Sequence, residues 1–593
     1  MYRSDRTTVA TRTARVSVGH LIVAATLLCG AAGIRPAHAD NMVQDWNNEF
    51  LLITQQTSGS LVAGPPDVAR EIAQVGAAMS DAVNASTGNT IASFSGYTAT
   101  GNSSANTNAS VAAAYAAYTT LNSIFTDSVW TTSITSLSGG TSTGTSNVAL
   151  GSLVTGELST FLSSELSSLC STDSTGCSST STYSNGLSIG TAAATAVDSS
   201  TTFSPTGSGA IASIINGLTP QTPTGSGAAG VYVPPATRPE MFPTWNTTTP
   251  TGITSSQLTT ALGTISGPPP LTSQAYATGL LQTECEGASG GFSSLPSNVQ
   301  SACAAAGFVQ TSAQAQASAN AALFWNDPGT TVQPPGHWLQ IADTAMTSQN
   351  SSLLQSAQLT GLVGESMNDA GIAAWTVKYQ NNLWRPTTAI RDCANWSSDF
   401  TTCDTSWSSL IATPPHPDYV AGHPAFSGAA ATVLADFFGT DNVSFSSTSD
   451  YYCNGGSAHF GSNGLLVSCS VGATFYYVSN PTTGQPDCQV ITSGAATNGS
   501  PLICPITENF NSFSAASSGT NGSEFSRVVG GIHTPAAVED ALTLGIAIGQ
   551  TLAQNAGLPE VVAEPSSLAI CAVSLVGLTG LRRRRQTGQA ARA

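Results

Sequence analysis

A chain of 593 residues that keeps a single lysine, Lys378, has nearly given up cations as surface residues. Its 15 arginines are unevenly spread. Arg3, Arg6, Arg12, Arg15 and Arg35 fall within the first 39 residues, and Arg582 to Arg585 and Arg592 stand at the extreme C-terminus. Between Asp40 and Ala563 only Arg70, Arg238, Lys378, Arg385, Arg391 and Arg527 remain, against 31 carboxylates, a net charge of −25. Four of those six lie within the 150 residues from 378 to 527. Solubility does not require them there, so that stretch is where an anion site is to be sought. The same balance excludes a nucleic-acid binder, which needs a basic stripe to neutralise phosphates. It also excludes a peripheral protein held on anionic lipid by a basic face.

The two ends read as addresses. Residues 1–39 carry a basic start, the apolar run Leu21 to Ile34 and the small-x-small site Ala37-His38-Ala39, which predicts a secretory leader. Export suits the cysteines. Outside the leader and the tail there are ten, an even number without any CxxC, and the spacing makes Cys170–Cys177, Cys285–Cys303 and Cys393–Cys403 the easiest local disulfides. At the other end, Glu564-Pro565-Ser566-Ser567 precedes the apolar run Leu568 to Leu581 and then Arg582 to Arg585. A short apolar helix followed by arginines is a stop-transfer pattern. The tail resembles the PEP-CTERM sorting signal of Gram-negative bacteria, with Ala563 where its first proline is usual. That resemblance implies transient membrane anchoring, a sorting protease of the exosortase type, and a final place at the cell surface or in the extracellular polysaccharide layer.

Between the ends, helical patterns alternate with polar filler. Pro65-Pro66-Asp67 opens a helix with the stripe Val68, Ile72, Val75, Met79 and Val83, and a second runs over about 109–126. Further helices are predicted at 311–325, 338–384 with a break, 424–438 and 536–555. Residues 231–275 read as Pro-rich and extended, and few alternating strand patterns occur. The predicted organisation is a leader (1–39), an N-terminal helical part (40–126) and a loose Ser/Thr/Gly-rich insertion (127–230). The core follows in two parts, 231–439 and 523–557, split by a Cys-containing Ser/Gly-rich insertion (440–522), and the tail spans 563–586. The fold class expected is all-α.

Three elements carry chemistry. Lys378 lies in the helical pattern Trp375-Thr376-Val377-Lys378-Tyr379, and Arg385 follows seven residues later, a spacing that places both on one helical face before Pro386 ends the helix. Arg391 lies just beyond. Ala421-Gly422-His423 precedes Pro424, which fits the first turn of a helix, so N–H groups near Gly422 would face an anion, with a histidine at hand for proton transfer. Ser526-Arg527 and His533 pair a guanidinium fork with a potential metal-ligating imidazole. Singly, each has a plainer reading: a solvated face, a helix cap, a surface histidine beside a Gly-Gly turn.

In that order and together, the three resemble the vanadium-dependent haloperoxidase and type 2 phosphatidic acid phosphatase (PAP2) superfamily, and the segments Pro334-Pro335-Gly336-His337-Trp338 and Trp384 to Arg391 resemble its secreted bacterial branch. The resemblance implies a helical-bundle core that holds vanadate. Lys378, Arg385 and Arg527 would bind its oxygens, Gly422 would donate a backbone N–H, His423 would be the acid–base residue, and His533 would bond vanadium directly. The implied reaction is oxidation of halide to hypohalous acid by hydrogen peroxide. Two positions depart from the family pattern. Ala421 replaces the usual serine, and Ala537 stands where an aspartate commonly orients the metal-binding histidine, so His533 is expected to be less firmly held. Two alternatives share the sequence: an exported acid phosphatase in which His533 forms a phospho-histidine, and a catalytically inactive extracellular-matrix protein. His337, His416 and His459 are taken as structural or surface residues.

Overall fold

The structure is a computed structural model that describes residues 41–57, 64–99, 107–126, 147–172, 180–203, 228–234, 240–329, 331–392, 403–449 and 507–561, together with four short strands within 450–506. The leader, the sorting tail, Arg238, Cys177 and Cys393 lie outside the described residues. Among the described residues no helix is long and apolar enough to cross a membrane.

The helices are α1 (Met42–Thr57), α2 (Pro65–Ser86), α3 (Ala109–Thr126), α4 (Asn147–Thr172), α5 (Thr180–Ser199), α6 (Ser255–Leu262), α7 (Gln274–Glu286), α8 (Ser297–Ala306), α9 (Ser312–Phe324), α10 (Gln333–Ser348), α11 (Leu353–Asn381), α12 (Pro386–Arg391), α13 (Gly422–Phe438), α14 (Phe513–Ser518), α15 (Ser523–Val529) and α16 (Pro535–Asn555). The expected all-α helical bundle is therefore what forms. Its closure depends on small side chains. A Cβ on Gly76 would stand 2.5 Å from the Gly361 nitrogen, and one on Gly364 would stand 2.5 Å from that of Ala73, so α2 and α11 meet backbone to backbone. The same device joins α13 to α16, where a Cβ on Gly545 would stand 2.2 Å from the Ala425 oxygen. The two helix pairs pack on each other through α11 and α13 and share one hydrophobic core.

The loose insertion expected over 127–230 is contradicted where the structure describes it. α4 buries Val154, Leu158, Phe161, Leu162 and Leu166 on one face, with Phe161 edge-on to Trp46 of α1 at 4.9 Å. α5 lies so close to α3 that a Cβ on Gly190 would stand 2.3 Å from the Ala112 oxygen. The α5 side of that contact is mostly Gly186, Gly190, Ala193 and Ala194, small residues that read as filler because they carry little hydrophobic signal. The Pro-rich 231–275 stretch is likewise not wholly extended, since a Thr254/Gln257 capping box starts α6 within it. Cys285 and Cys303 form the expected disulfide, tying α7 to α8, and Cys170 and Cys403 each take part in a separate disulfide.

The 440–522 insertion begins with a ribbon in which β1 (Phe445–Thr448) pairs antiparallel with β6 (Thr507–Phe510), and α14 follows. Residues 452–505 belong to a separate unit. Within it β2 (His459–Phe460) pairs with β3 (Leu466–Ser468), and β4 (Thr474–Ser479) with β5 (Pro486–Ile491), both antiparallel.

Candidate active site

The end of α11, the α12 start, the 414–421 loop, the α13 start, and the stretch from α15 into α16 converge on a group of buried charges. Lys378 lies in the last turn of α11, which stops at Asn381 because Asn382 takes a left-handed conformation (φ 46°) and returns its N–H to the Lys378 carbonyl. Pro386 therefore opens α12 rather than ending α11, and Arg385 is its N-cap. The pairing of Lys378 with Arg385 comes across the left-handed break at Asn382, not from a shared helical face as the spacing suggests. Arg391 does not join them. It is exposed and donates from Nε to the Trp407 carbonyl at 2.6 Å.

Lys378, Arg385 and Arg527 are at most 1% exposed, and among the described residues none has a carboxylate within salt-bridge distance. Lys378 Nζ donates to the carbonyls of Pro417 (2.9 Å) and Asp418 (3.3 Å). Arg385 is nearly spent: Nε donates to the His416 carbonyl at 2.6 Å, Nη1 to the Ile532 carbonyl at 2.7 Å and to His533 Nε2 at 3.0 Å, and Nη2 to His416 Nδ1 at 2.9 Å. Arg527 makes one bond, from Nη1 to the Trp325 carbonyl, and its buried Nε has no partner. Burial pushes the Lys378 ammonium well below its ordinary range, Arg385 and Arg527 push the same way, and Asp418 opposes them. An anion among these cations would offset the desolvation they suffer.

The expected looseness of His533 is contradicted. Its Nδ1 lies 2.6 Å from Asp418 Oδ1, and Asp418 Oδ2 accepts from Thr534 Oγ1 at 3.0 Å. The orienting carboxylate thus comes from 115 residues upstream rather than from position 537. An ionised carboxylate only accepts, so Nδ1 carries the proton and the Nε2 lone pair faces Arg385. Burial, followed by Arg385, Lys378 and Arg527, pushes the His533 pKa well below the usual histidine value. Burial also lifts the Asp418 carboxyl to about 6, with Arg385 and Lys378 pulling it down.

His423 is the second residue of α13, whose N-cap, Ala421, supplies no side-chain bond. The first-turn N–H groups are therefore free of a side-chain cap, as an anion seat requires. Gly422 fits because Trp375 closes over it: a Cβ there would stand 3.2 Å from the indole. His423 Nε2 has no hydrogen-bond partner and lies 3.8 Å from Asp327 Oδ2. Burial and then Arg527 push its pKa well below the ordinary value, with His337 and Lys378 adding to the shift.

Sequence reasoning missed Asp418 and Asp327 and set aside His416 and His337, which the structure buries around the site. His416 and Asp418 had a local signal, the proline-flanked Pro415-His416-Pro417-Asp418 just before the Gly-His pair. Asp327 had none that separates it from other loop carboxylates. His459 lies on β2.

Residues 358–557 match the family model for the second helical-bundle domain of VCPO. Over 139 residues the chain is 27% identical to vanadium chloroperoxidase of Curvularia inaequalis, a stretch amounting to 20% of this chain and 22% of that protein. The chain thus spans about a fifth of the length of that curated relative. The crystal structure of a bacterial vanadium-dependent iodoperoxidase resembles it with a TM-score of 0.54 at 19% identity, covering 89% of this chain and 100% of the other. The fold is that of the vanadium haloperoxidases. Within this vanadium haloperoxidase fold, the matched domain holds Lys378, Arg385, Asp418, Gly422, His423, Arg527 and His533, while Asp327 and His337 enter from outside it.

Proposed function

We propose that this chain binds vanadate among Lys378, Arg385 and Arg527 and uses hydrogen peroxide to oxidise halide to hypohalous acid. The observation that carries the proposal is His533, a buried neutral imidazole fixed by Asp418 at Nδ1, with Nε2 facing a cluster of cations that no carboxylate pairs. The unpartnered Arg527 Nε and the uncapped start of α13 fit a tetrahedral oxyanion.

His533 would bond the vanadium, and Gly422, Lys378 and Arg527 would hold its oxygens. Bound vanadate supplies the activation of hydrogen peroxide toward attack by a halide. His533 Nε2 becomes available when Arg385 Nη1 gives up its bond there and keeps the one to the Ile532 carbonyl. Lys378 and Arg527 balance negative charge in a site from which burial excludes water. His423, neutral in the resting site, takes a proton from hydrogen peroxide at Nε2, and Asp327 stabilises the imidazolium that results.

The His533–Asp418 pair also suits a second reading. A neutral imidazole held at Nδ1 is what a phospho-histidine nucleophile needs, with His423 protonating the leaving group of a phosphate ester. In either case the leader and tail support export, with sorting at the membrane by an exosortase-type protease. The deciding experiment loads the purified full-length protein with orthovanadate and follows bromination of a phenolic dye by hydrogen peroxide, beside hydrolysis of a chromogenic phosphate ester. Vanadate-dependent bromination lost in His423→Ala and His533→Ala supports the peroxidase. Ester hydrolysis lost in His533→Ala, without bromination, supports the phosphatase and overturns the first reading.

A further inference from the structure

His423 and His337 compete for one carboxylate. Asp327 presents both oxygens to His337 Nδ1, each at 3.2 Å, while its Oδ2 stays 3.8 Å from His423 Nε2. Because an ionised carboxylate only accepts, His337 Nδ1 must donate. In the neutral imidazole Nε2 is then an acceptor, and Ser447 Oγ, 3.0 Å away, supplies its proton. Ser447 is a buried residue of β1, held in register by pairing with Glu508 of β6. His337 itself is wedged between the Phe324 and Trp325 rings, whose centroids lie 4.9 and 4.7 Å from its own. It cannot swing toward His423: its Nδ1–H is committed to Asp327, and Ser447 anchors the far side of the ring. His423 Nε2, by contrast, has no partner at all.

We infer that His337, fixed by Ser447, is a positioning residue that holds Asp327 off His423 and so keeps His423 Nε2 unpaired for the reacting oxygens. The inference rests on the peroxidase reading only in naming those oxygens, since the competition for Asp327 belongs to the resting protein. The charged and titratable groups around His423 are Arg527, Lys378, His337 and His416, which disfavour its protonation, and Asp327, which favours it together with a backbone bond to Asn326. With the His337 donor gone, Asp327, which also feels the Arg527 charge, is free to turn and pair with His423. A carboxylate brought from 3.8 Å into hydrogen-bond contact raises a histidine pKa by roughly one unit or more. His423 then stays protonated at pH values where the wild type is free to accept a proton.

The test is the titration of His423 in the full-length, vanadate-free protein, read from ring-nitrogen resonances of 15N-histidine-labelled samples and assigned with His423→Gln. His337→Asn is expected to move the His423 midpoint up by roughly one pH unit or more, and adding Asp327→Asn should bring it back below the wild-type value. Ser447→Ala, a milder change that guards against misfolding of the first variant, should move it the same way by less. An unchanged or lowered midpoint in both His337→Asn and Ser447→Ala overturns the inference. In the loaded enzyme the acid limb of the pH–rate profile for hydrogen peroxide should follow the same shift, while vanadate affinity stays within about twofold. If the wild type oxidises no halide, the peroxidase reading fails, yet the titration still decides whether His337 holds Asp327.

Discussion

Among the described residues two buried charged clusters spend their charge differently. On the α2–α11 face, Arg70 sends Nη1 to the Thr249 carbonyl and Nη2 to those of Thr202 and Phe203. Asp369 beside it accepts the N–H groups of Thr251, Gly252 and Ile253. Both side chains are consumed in fastening loops onto the helix pair. Glu71 and Glu365 nearby are pushed well above the carboxylate range by burial, so that face also sheds its charge. On the α11–α13 face three cations make no direct ion pair among the described residues, Asp418 and Asp327 act on them only from a distance, and Arg527 spends a single hydrogen bond. An unpartnered atom alone does not mark a site, for Arg70 Nε lacks a partner too. The site is marked by the sum: three cations, an uncapped helix start and a histidine with an open Nε2.

The largest expected effect breaks the comparison on the structural side. Arg70→Met leaves Asp369 without its nearest cation and the three carbonyls without their donor, which costs about 3–5 kcal/mol, as when one partner of a buried charge set is removed. Urea unfolding should show a lowered midpoint, while vanadate affinity of the folded fraction stays unchanged. A large loss of vanadate affinity with little loss of stability would show that the two faces are not separate in purpose.

Asp418→Asn breaks it on the other side. The amide keeps the shape but can present N–H to His533 Nδ1, which favours the wrong tautomer. Removing such an outer partner typically costs 10–100-fold in metal affinity. Vanadate binding, followed by quenching of the buried tryptophans, should weaken by about that factor. Weakening of less than threefold would take Asp418 out of the account.

The legibility of the two faces differed for a physical reason. Lys378, Arg385, His423, Arg527 and His533 could be read because each is an exception in a chain almost without cations and histidines, and Gly422 through its place beside His423. The long helices α2, α11, α13 and α16 showed through their periodicity and their prolines. Asp418 and Asp327 could not be read, since they are two carboxylates among 33 and their partners are 115 and 96 residues away. α5 was hidden for the opposite reason: its contact face is mostly Gly and Ala, which pack closely but give little apolar rhythm, and the Leu and Phe stripe of α4 was masked by the Ser, Thr and Gly around it.

The pH dependence of stability sharpens the contrast, because the two faces pull in opposite directions. Asp369 is raised from 3.8 to about 6 in the folded protein. Between those values the native state holds a proton that the unfolded chain has lost, so its contribution falls as pH rises. His416, His423 and His533 are lowered from 6.5, so below that value the unfolded chain binds the extra protons and their contribution falls as pH drops. Asp418, also raised to about 6, opposes its histidine neighbours. Urea midpoints measured across this range should rise more steeply with pH in Asp369→Asn than in the wild type, and less steeply in His416→Gln. Parallel slopes in all three proteins would mean that neither face titrates as its burial implies.

The smallest effect concerns a single hydroxyl. Ala421 is the N-cap of α13 and offers the first-turn N–H groups nothing, so whatever anion sits there must serve as cap as well as ligand. Ala421→Ser adds an oxygen that can accept from the helix and an O–H that can donate to the anion. A hydrogen bond of about 1 kcal/mol corresponds to roughly fivefold in affinity, so vanadate should bind tighter by about that factor. Added vanadate should then raise the melting temperature further in the variant than in the wild type at equal concentration. If the serine instead raises the melting temperature of the vanadate-free protein and leaves less for vanadate to add, the hydroxyl has turned inward. The open start of α13 would then be a missing cap rather than a seat kept for an anion.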